Sequence, residues 1–163
     1  MELIGYSDAD HAGDCDDRKS TSGVFFFLDQ SPVSWQSQKQ HVVALSSCEA
    51  EYIAGTTAAC QGTWLAQLLA DLTSEQRAAF LLKMDSQSAI ALSKNPVFHD
   101  RSKHIDVRFH FIRECVADGR MDIEHVRTEE QLADILTKPL ARDRFYELRV
   151  QLGVVNVSRE HQV

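Results

Sequence analysis

The sequence has no long hydrophobic run. None of its apolar stretches approaches the ~20 residues that a membrane-spanning helix needs. Residues 1–4 also lack the basic start and the extended apolar stretch of a secretory signal peptide. We therefore expect no membrane association and a cytoplasmic or nuclear location.

The sequence also lacks the cysteine patterns of a disulfide framework or a zinc finger. Its four cysteines form no CxxC pair and no cluster with histidine at zinc-ligand spacing, so we expect reduced thiols. No internal repeat, linker or low-complexity stretch divides the chain of 163 residues. This predicts one compact domain over residues 1–155, followed by a polar tail at 156–163 that we expect to be disordered.

An overall basic charge is missing as well. The formal net charge is −7, whereas a general nucleic-acid binder carries a basic face. The charge is unevenly spread, because segment 101–113 is rich in lysine and arginine. Several carboxylates that hold divalent cations would account for part of the acidity, since bound cations cancel their charge locally.

What the sequence does contain is a clear series of strand and helix patterns. Short apolar or aromatic runs between turn residues predict strands at 3–7, 23–28, 33–36, 81–84 and 121–126. Helical periodicity predicts a long helix after Ser46, which with Glu49 resembles a capping box, ending near residue 72. Further helices are predicted at 87–93, 103–117, 129–136 and 141–152. The order β-β-β-α-β-α-α-β-α-α indicates a single α/β domain.

Four acidic residues occupy positions from which they could converge. Asp8 and Asp85 end predicted strands, Glu51 lies in the first turns of the long helix, and Asp134 lies in a late helix. If the strands that carry Asp8 and Asp85 are neighbours, both side chains emerge at one edge of the sheet. Carboxylate oxygens are hard ligands that suit Mg²⁺ or Mn²⁺. Spacing alone is a weak signal in a chain with 24 acidic residues, where solvated surface acids are the ordinary outcome.

Seven motifs carry a more specific signal. In chain order they are GYSDADHAGD (5–14), DRKSTSG (17–23), SWQSQKQ (34–40), ALSSCEAEYIA (44–54), DSQSAIAL (85–92), RSKHIDVRFHFIRE (101–114) and TEEQLADILTKPL (128–140). Together they closely resemble the RNase H domain of copia-type LTR retrotransposon polyproteins. The resemblance is collinear and covers about residues 3–152.

The resemblance implies both a fold and a set of metal ligands. The implied fold is RNase H-like: a mixed five-stranded sheet, its first three strands antiparallel, with helices on both sides. The D-E-D-D ligands of that family correspond to Asp8, Glu51, Asp85 and Asp134 here. Glu49 competes for the second position, but Glu51 is followed by Tyr52 and an early alanine, as is typical of the family. Glu49 has an alternative role as the capping-box partner.

Further site residues follow from the same resemblance. Ser46, Ser47 and Gln87 correspond to positions that touch the nucleic acid in RNase H enzymes. His125 stands where such enzymes often keep a loop histidine that assists product or metal exchange, although a partly exposed histidine at a strand end is an equally good interpretation. Asp10 is an additional candidate ligand, for which a turn role is favoured. The role of His104 stays open, and His11 departs from the tryptophan of the family.

The resemblance also implies an activity. It predicts an endonuclease that hydrolyses the RNA strand of RNA–DNA hybrids with two Mg²⁺ ions, for which Mn²⁺ can substitute, leaving 5′-phosphate and 3′-hydroxyl ends. In this scheme Asp8 bridges both ions, Glu51 and Asp85 each hold one side, and Asp134 completes the second site. The expected partners are the hybrid and the reverse transcriptase domain of the same polyprotein. We expect the isolated domain to be monomeric. A virus-like particle is a further possible location, beside the cytoplasm and the nucleus.

Two other interpretations stay open. The domain could be a catalytically weak binding or structural module tethered beside a reverse transcriptase, which the net acidity favours and the presence of all four acids opposes. It could also be a different nuclease of the same fold that cuts DNA or structured RNA. Cleavage tests on hybrid, duplex RNA and duplex DNA would separate this different nuclease from a hybrid-specific enzyme.

Overall fold

A computed structural model describes residues 1–94 and 106–155 of the chain. Three strands come first, and the other two strands lie between helices, as predicted. The strands are β1 (Leu3–Ala9), β2 (Thr21–Leu28), β3 (Ser31–Lys39), β4 (Phe80–Met84) and β5 (Met121–His125). The α-helices are α1 (Ser47–Thr73), α2 (Gln87–Lys94), α3 (Asp106–Ala117) and α4 (Arg142–Gln151). Two 3₁₀ helices, Thr128–Glu130 and Leu132–Leu136, lie between β5 and α4.

The five strands form one mixed sheet in the order β3-β2-β1-β4-β5. The first three strands pair antiparallel, whereas β4 pairs parallel with both β1 and β5. The sheet therefore has the architecture that the resemblance predicted. Since β1 and β4 are parallel neighbours, their carboxyl ends lie at the same edge of the sheet.

Helices cover both faces of the sheet because β2 is apolar on both sides. Val24 and Phe26 point into the larger core with Tyr52 of α1 and Leu82 of β4. On the other face, the side chains that pack together come from β2, the second 3₁₀ helix, α4 and the residue that follows α4: Phe25, Phe27, Leu132, Leu148 and Leu152. This segregation follows from the alternation of side chains along a strand.

The long helix α1 begins where the sequence predicts. Ser46 is its N-cap, and the Ser46 Oγ accepts a hydrogen bond from the Glu49 N–H at 3.1 Å. The side chains of α1 that face the sheet are mostly small. A Cβ at Gly62 would lie only 2.4 Å from the Phe80 ring, so the absence of a side chain lets α1 pack closely on β4.

The prediction of an α-helix over 129–136 is wrong in type. The segment forms two short 3₁₀ helices separated by Gln131, whose backbone is extended at φ −74° and ψ 103°. The buried Gln131 side chain accepts a hydrogen bond from the Ala133 N–H at 3.2 Å, which caps the second 3₁₀ helix. The first residues of the predicted helix at 103–117, including His104, and the predicted tail at 156–163 lie outside the described residues.

The composition predicts no membrane-spanning helix and no paired cysteines. Among the described residues no helix is both long and apolar enough to cross a bilayer. The four cysteines are free: Cys115 is buried, Cys48 is partly buried, and Cys15 and Cys60 are exposed.

Candidate active site

The carboxylate cluster begins at the carboxyl ends of two neighbouring strands. In the parallel register Ser7 of β1 pairs with Met84 of β4, so the next residues along the two strands are Asp8 and Asp85. Asp8 is fully buried and Asp85 is partly exposed. The condition on which the sequence prediction depended, that these two strands are neighbours, is therefore met.

The 3₁₀ helix Leu132–Leu136 brings a third carboxylate to this edge. Gln131 fastens the start of the helix to the sheet, because its Nε2 donates a hydrogen bond to the Ser7 backbone oxygen at 2.9 Å. Gly23, which pairs with Asp8 across the sheet, lets the helix approach closely. A Cβ at Gly23 would lie 2.7 Å from the Thr137 Cγ2 and 2.9 Å from the Ala133 backbone oxygen.

Asp8, Asp85 and Asp134 consequently form a compact group. Each offers one carboxylate oxygen, and these three oxygens lie within 4.8 Å of one another. Around one octahedral Mg²⁺ ion, opposite oxygens are about 4.2 Å apart and adjacent oxygens about 3 Å apart, given Mg–O distances of about 2.1 Å. The three side chains would therefore draw closer together to share one cation. Burial and the charge of Asp8 raise the pKa of Asp134, although the hydrogen bond from Lys138 opposes this.

Glu51 adjoins the group without belonging to these three. It projects from the second turn of α1, and the Ala9 backbone N–H donates a hydrogen bond to its carboxylate. Burial, together with the negative charges of Asp8 and Asp85, raises the pKa of Glu51 to about 9. Its Oε2 atom is buried and has no hydrogen-bond partner among the described residues. A buried oxygen without a donor is costly unless a cation or a proton satisfies it.

The structure separates Glu51 from its competitor Glu49. The Glu49 Oε2 accepts a hydrogen bond from the Leu45 N–H at 3.0 Å, and the Glu49 N–H donates to the Ser46 Oγ. This is capping at the start of α1, with the reciprocal bond displaced by one residue from the usual capping box. These contacts give Glu49 a capping role, and Glu51 stays the predicted ligand.

Two residues that sequence reasoning missed contact the cluster directly. The Lys138 Nζ lies 2.7 Å from the Asp134 Oδ1 and 3.2 Å from the Asp8 Oδ1. The Thr137 hydroxyl donates a hydrogen bond to the Asp8 Oδ2. Burial lowers the pKa of Lys138, but the hydrogen bond to Asp134 and the charge of Asp8 outweigh it and raise that pKa overall.

The signal that could have identified Lys138 is its spacing. It follows Asp134 by four residues within the TEEQLADILTKPL motif, and side chains at that spacing are neighbours on a helix. Its contact with Asp8 spans 130 positions and depends on how the chain folds. The spacing therefore predicts only one of its two contacts.

The side chain of His125 lies beside Asp85 at the outer end of the cluster. His125 is the last residue of β5 and pairs with Met84. Its exposed ring nitrogen Nε2 is 3.2 Å from the Asp85 backbone oxygen. The Thr128 hydroxyl is 3.4 Å from the Asp85 Oδ2. His125 is thus near the carboxylates, but its contact is with the backbone of Asp85.

The remaining predicted site residues lie at helix starts, apart from Asp10. Ser46 and Ser47 are exposed at the beginning of α1, and Gln87 is exposed as the first residue of α2. Asp10 instead accepts a hydrogen bond from the Thr21 N–H at the end of the β1–β2 connection, which agrees with its favoured turn role. Asp10 is not one of the three residues that form the compact carboxylate group.

The donor set suits a hard divalent cation. The candidate ligands are carboxylates alone, with no cysteine or histidine in the compact group, and such sites favour Mg²⁺ and Mn²⁺ over softer metals. The Glu51 Oε2, which has no hydrogen-bond partner among the described residues, is a further observation that fits a bound ion. Three aspartates and one lysine leave a net negative charge even when the Glu51 carboxyl is neutral, and an ion would neutralise it.

Known proteins share this fold and much of this sequence. No protein-family model matches the chain. The chain is 48% identical over 152 residues to the retrovirus-related Pol polyprotein from transposon TNT 1-94 of Nicotiana tabacum, an alignment that covers 93% of this chain. It spans only 11% of the length of that relative.

Two solved structures share this fold. LC11-RNase H1 in complex with an RNA/DNA hybrid superposes with a TM-score of 0.60 at 17% identity, covering 83% of this chain and 94% of that one. The protease–reverse transcriptase of prototype foamy virus gives a TM-score of 0.57 at 15% identity, covering 95% of this chain and 21% of that one. The fold is therefore that of RNase H. The chain is homologous to a segment of retrotransposon Pol polyproteins, which confirms the resemblance inferred from its motifs.

Proposed function

We propose that this chain is a ribonuclease H that hydrolyses the RNA strand of RNA–DNA hybrids during retrotransposon reverse transcription. The observation that carries the proposal is the convergence of Asp8, Asp85 and Asp134 within 4.8 Å, beside the Glu51 Oε2 that has no hydrogen-bond partner in the described part of the chain. The RNase H fold and the homology to Pol polyproteins support a nuclease of this type. The proposed partners are the hybrid and the reverse transcriptase of the same polyprotein.

Asp8, Glu51, Asp85 and Asp134 would hold two Mg²⁺ ions, or Mn²⁺ in their place. When bound, such ions supply an activated water and stabilise the 3′-oxygen that leaves. The residues of the chain exclude bulk water from the fully buried Asp8 and fix its orientation through the hydrogen bond from Thr137. Outer contacts of this kind orient ligands and tune their affinity.

Three residues are proposed to contact the nucleic acid because of their positions in the chain and their exposure. Ser46 and Ser47 lie just before Glu51 in the chain, Gln87 lies two residues after Asp85, and all three are exposed. Recognition of RNA by its 2′-hydroxyls would distinguish it from DNA with little sequence preference. His125, exposed beside Asp85, is proposed to assist the exchange of product or metal.

A cleavage assay tests the metal site. A hybrid with a labelled RNA strand is incubated with wild-type protein, Asp85→Asn and Asp122→Asn, in Mg²⁺, in Mn²⁺ and in chelator. Asp122 is a matched control because it is an exposed aspartate on β5 of the same sheet. We expect Asp85→Asn to reduce cleavage by about 100-fold or more, since loss of a ligand should exceed the effect of losing an outer contact. We expect Asp122→Asn to cleave normally.

Two results would contradict the proposal. Equal cleavage by wild type and Asp85→Asn would remove the role of this carboxylate. Cleavage of duplex RNA or duplex DNA in preference to the hybrid would indicate a different nuclease with the same fold.

A further inference from the structure

We propose that the Lys138 ammonium is a built-in competitor for the divalent-ion site, so that Lys138 must withdraw before an ion binds between Asp8 and Asp134. The inference rests on the proposed function, because it concerns the same carboxylates. It assigns to Lys138 a role in setting the ion affinity. Lys138 is a positioning residue in this scheme and takes no part in the chemical step.

Lys138 contacts oxygen atoms of both Asp8 and Asp134. Its Nζ is 2.7 Å from the Asp134 Oδ1 and 3.2 Å from the Asp8 Oδ1. The other oxygen of Asp8 accepts the Thr137 hydroxyl. Both oxygens of Asp8 are therefore already hydrogen-bonded, and a cation that reaches Asp8 must share an oxygen with Lys138 or Thr137.

Charge makes sharing with Lys138 unfavourable. An ion bound to the Asp134 Oδ1 at the ~2.1 Å typical of Mg²⁺ would lie no more than about 5 Å from the Lys138 Nζ. A divalent cation and an ammonium at that separation repel one another strongly, because the site is shielded from water. Thr137 is uncharged, so its hydrogen bond can persist when an ion binds.

Lys138 has a route by which to withdraw. Its side chain is 35% exposed, whereas the side chains of Asp8 and Asp134 are 0% and 7% exposed. Lysine carries a compact charge on a flexible four-carbon stem, so its ammonium can move into solvent while the stem stays in place. Asp8 and Asp134 are carried by the sheet and the 3₁₀ helix, and their buried side chains have no such route into solvent.

The same contacts explain what Lys138 contributes to the fold. Two buried carboxylates without a counter-charge are strongly destabilising. Lys138 supplies that charge to Asp8 and Asp134, and a bound ion would supply it equally well. The chain thus gains stability in the absence of divalent ions at the cost of weaker ion binding.

Calorimetric titration with Mn²⁺ tests the competition. The variants are Lys138→Gln, which keeps a hydrogen-bond donor but loses the charge, and Lys138→Arg, which keeps the charge. Lys39→Met is the matched control, because the Lys39 Nζ also bridges two aspartates, at 2.6 Å from the Asp14 Oδ2 and 3.0 Å from the Asp17 Oδ2, in an exposed loop. We expect Lys138→Gln to bind Mn²⁺ about tenfold more tightly than wild type. We expect Lys138→Arg and Lys39→Met to bind as wild type does.

A second measurement needs no substitution that risks misfolding. In the wild-type protein, the side-chain ¹⁵N signal of the Lys138 ammonium should move towards that of exposed lysines as Mg²⁺ is added. Thermal melting supplies a third readout. In chelator, Lys138→Gln should melt below wild type, and Mn²⁺ should raise its melting temperature by more than it raises that of wild type.

The outcomes distinguish this inference from the proposed function. If Lys138→Gln binds Mn²⁺ no more tightly than wild type, or the Lys138 signal does not respond to Mg²⁺, the competition is wrong while the nuclease proposal stands. If neither wild type nor Lys138→Gln binds Mn²⁺, both are wrong. If the affinities change as expected but no hybrid is cleaved, only the nuclease proposal fails.

Discussion

Two lysines of this chain each bridge a pair of aspartates, and the two clusters differ in almost every other respect. Lys39 contacts Asp14 and Asp17 in an exposed loop, whereas Lys138 contacts the buried Asp8 and Asp134 at the end of the sheet. The N–O distances are similar, from 2.6 to 3.2 Å. The lysine–aspartate contact by itself therefore does not distinguish a turn from a candidate active site.

The surroundings of the carboxylates make the distinction. Asp14 accepts hydrogen bonds from the backbone N–H groups of Asp16 and Asp17, so the loop satisfies its own acid. The hydrogen bond from Lys39, together with those backbone bonds, lowers the pKa of Asp14. In the carboxylate cluster at the end of the sheet, burial raises the pKa values of Glu51 and Asp134. The Glu51 Oε2 has no hydrogen-bond partner among the described residues. Acids held together in this way mark a candidate functional site, which we propose binds a cation.

The largest expected effect in this comparison is that of Glu51→Gln. We expect its affinity for Mn²⁺ to fall by about 100-fold or more, because a ligand is lost. Since the raised pKa of about 9 keeps the Glu51 carboxyl neutral at pH 7 when no ion is bound, glutamine should cost little stability. In chelator the free energy of unfolding should stay within about 1 kcal/mol of wild type. Calorimetry and denaturant titration measure the two quantities.

Glu49→Gln is the control for that substitution. Glutamine can still accept the hydrogen bond that the Leu45 N–H donates to residue 49, so α1 should keep its cap. Retained Mn²⁺ binding by Glu49→Gln is expected. Loss of binding in Glu49→Gln, with normal binding in Glu51→Gln, would reverse the assignment of the ligand.

An intermediate effect is expected for Gly23→Ala, which tests whether the buried cluster depends on close tertiary approach. The new methyl group would lie 2.9 Å from the Ala133 backbone oxygen, which cannot move without displacing the 3₁₀ helix that carries Asp134. We expect the protein to lose about 1–3 kcal/mol of stability. We also expect Mn²⁺ to bind roughly tenfold more weakly, which is the usual size of the effect when a residue that orients a metal ligand is changed.

Gly5→Ala separates the loss of stability from the loss of Mn²⁺ affinity. Its methyl group would crowd the Phe26 ring, 2.5 Å away in the core, and the three atoms nearest to it all belong to that ring. It should lower the melting temperature but leave the Mn²⁺ affinity of the folded protein unchanged. An equal loss of affinity in both variants would mean that affinity merely follows stability.

The smallest effect is expected for Asp14→Asn in the exposed loop. Asparagine keeps an oxygen that can accept the backbone N–H groups of Asp16 and Asp17, and exposed ion pairs contribute little to stability. Mn²⁺ affinity and melting temperature should both match wild type within error. A marked fall in Mn²⁺ affinity would show that the exposed cluster also takes part in ion binding, and the contrast between the clusters would be lost.

Much of the fold could be predicted because its signals are local. The aromatic run of β2 and the serine cap of α1 are legible in short windows of sequence. The segment from 129 to 136 was not predicted correctly, because a buried side chain, Gln131, binds the backbone of β1 and breaks the helix there. That bond joins residues 124 positions apart, and helical periodicity does not report such contacts.

The sequence by itself determined the order of the elements, the motifs and the candidate acids, since each depends on neighbouring residues. It could place Asp8 and Asp85 at strand ends but not show that the two strands are adjacent. Tertiary structure decided that β1 lies beside β4, that Gly23 admits the segment of Asp134, and that Lys138 bridges two buried carboxylates. The physical reason is that burial and charge at this site arise from chain segments up to 130 residues apart, which only folding brings together.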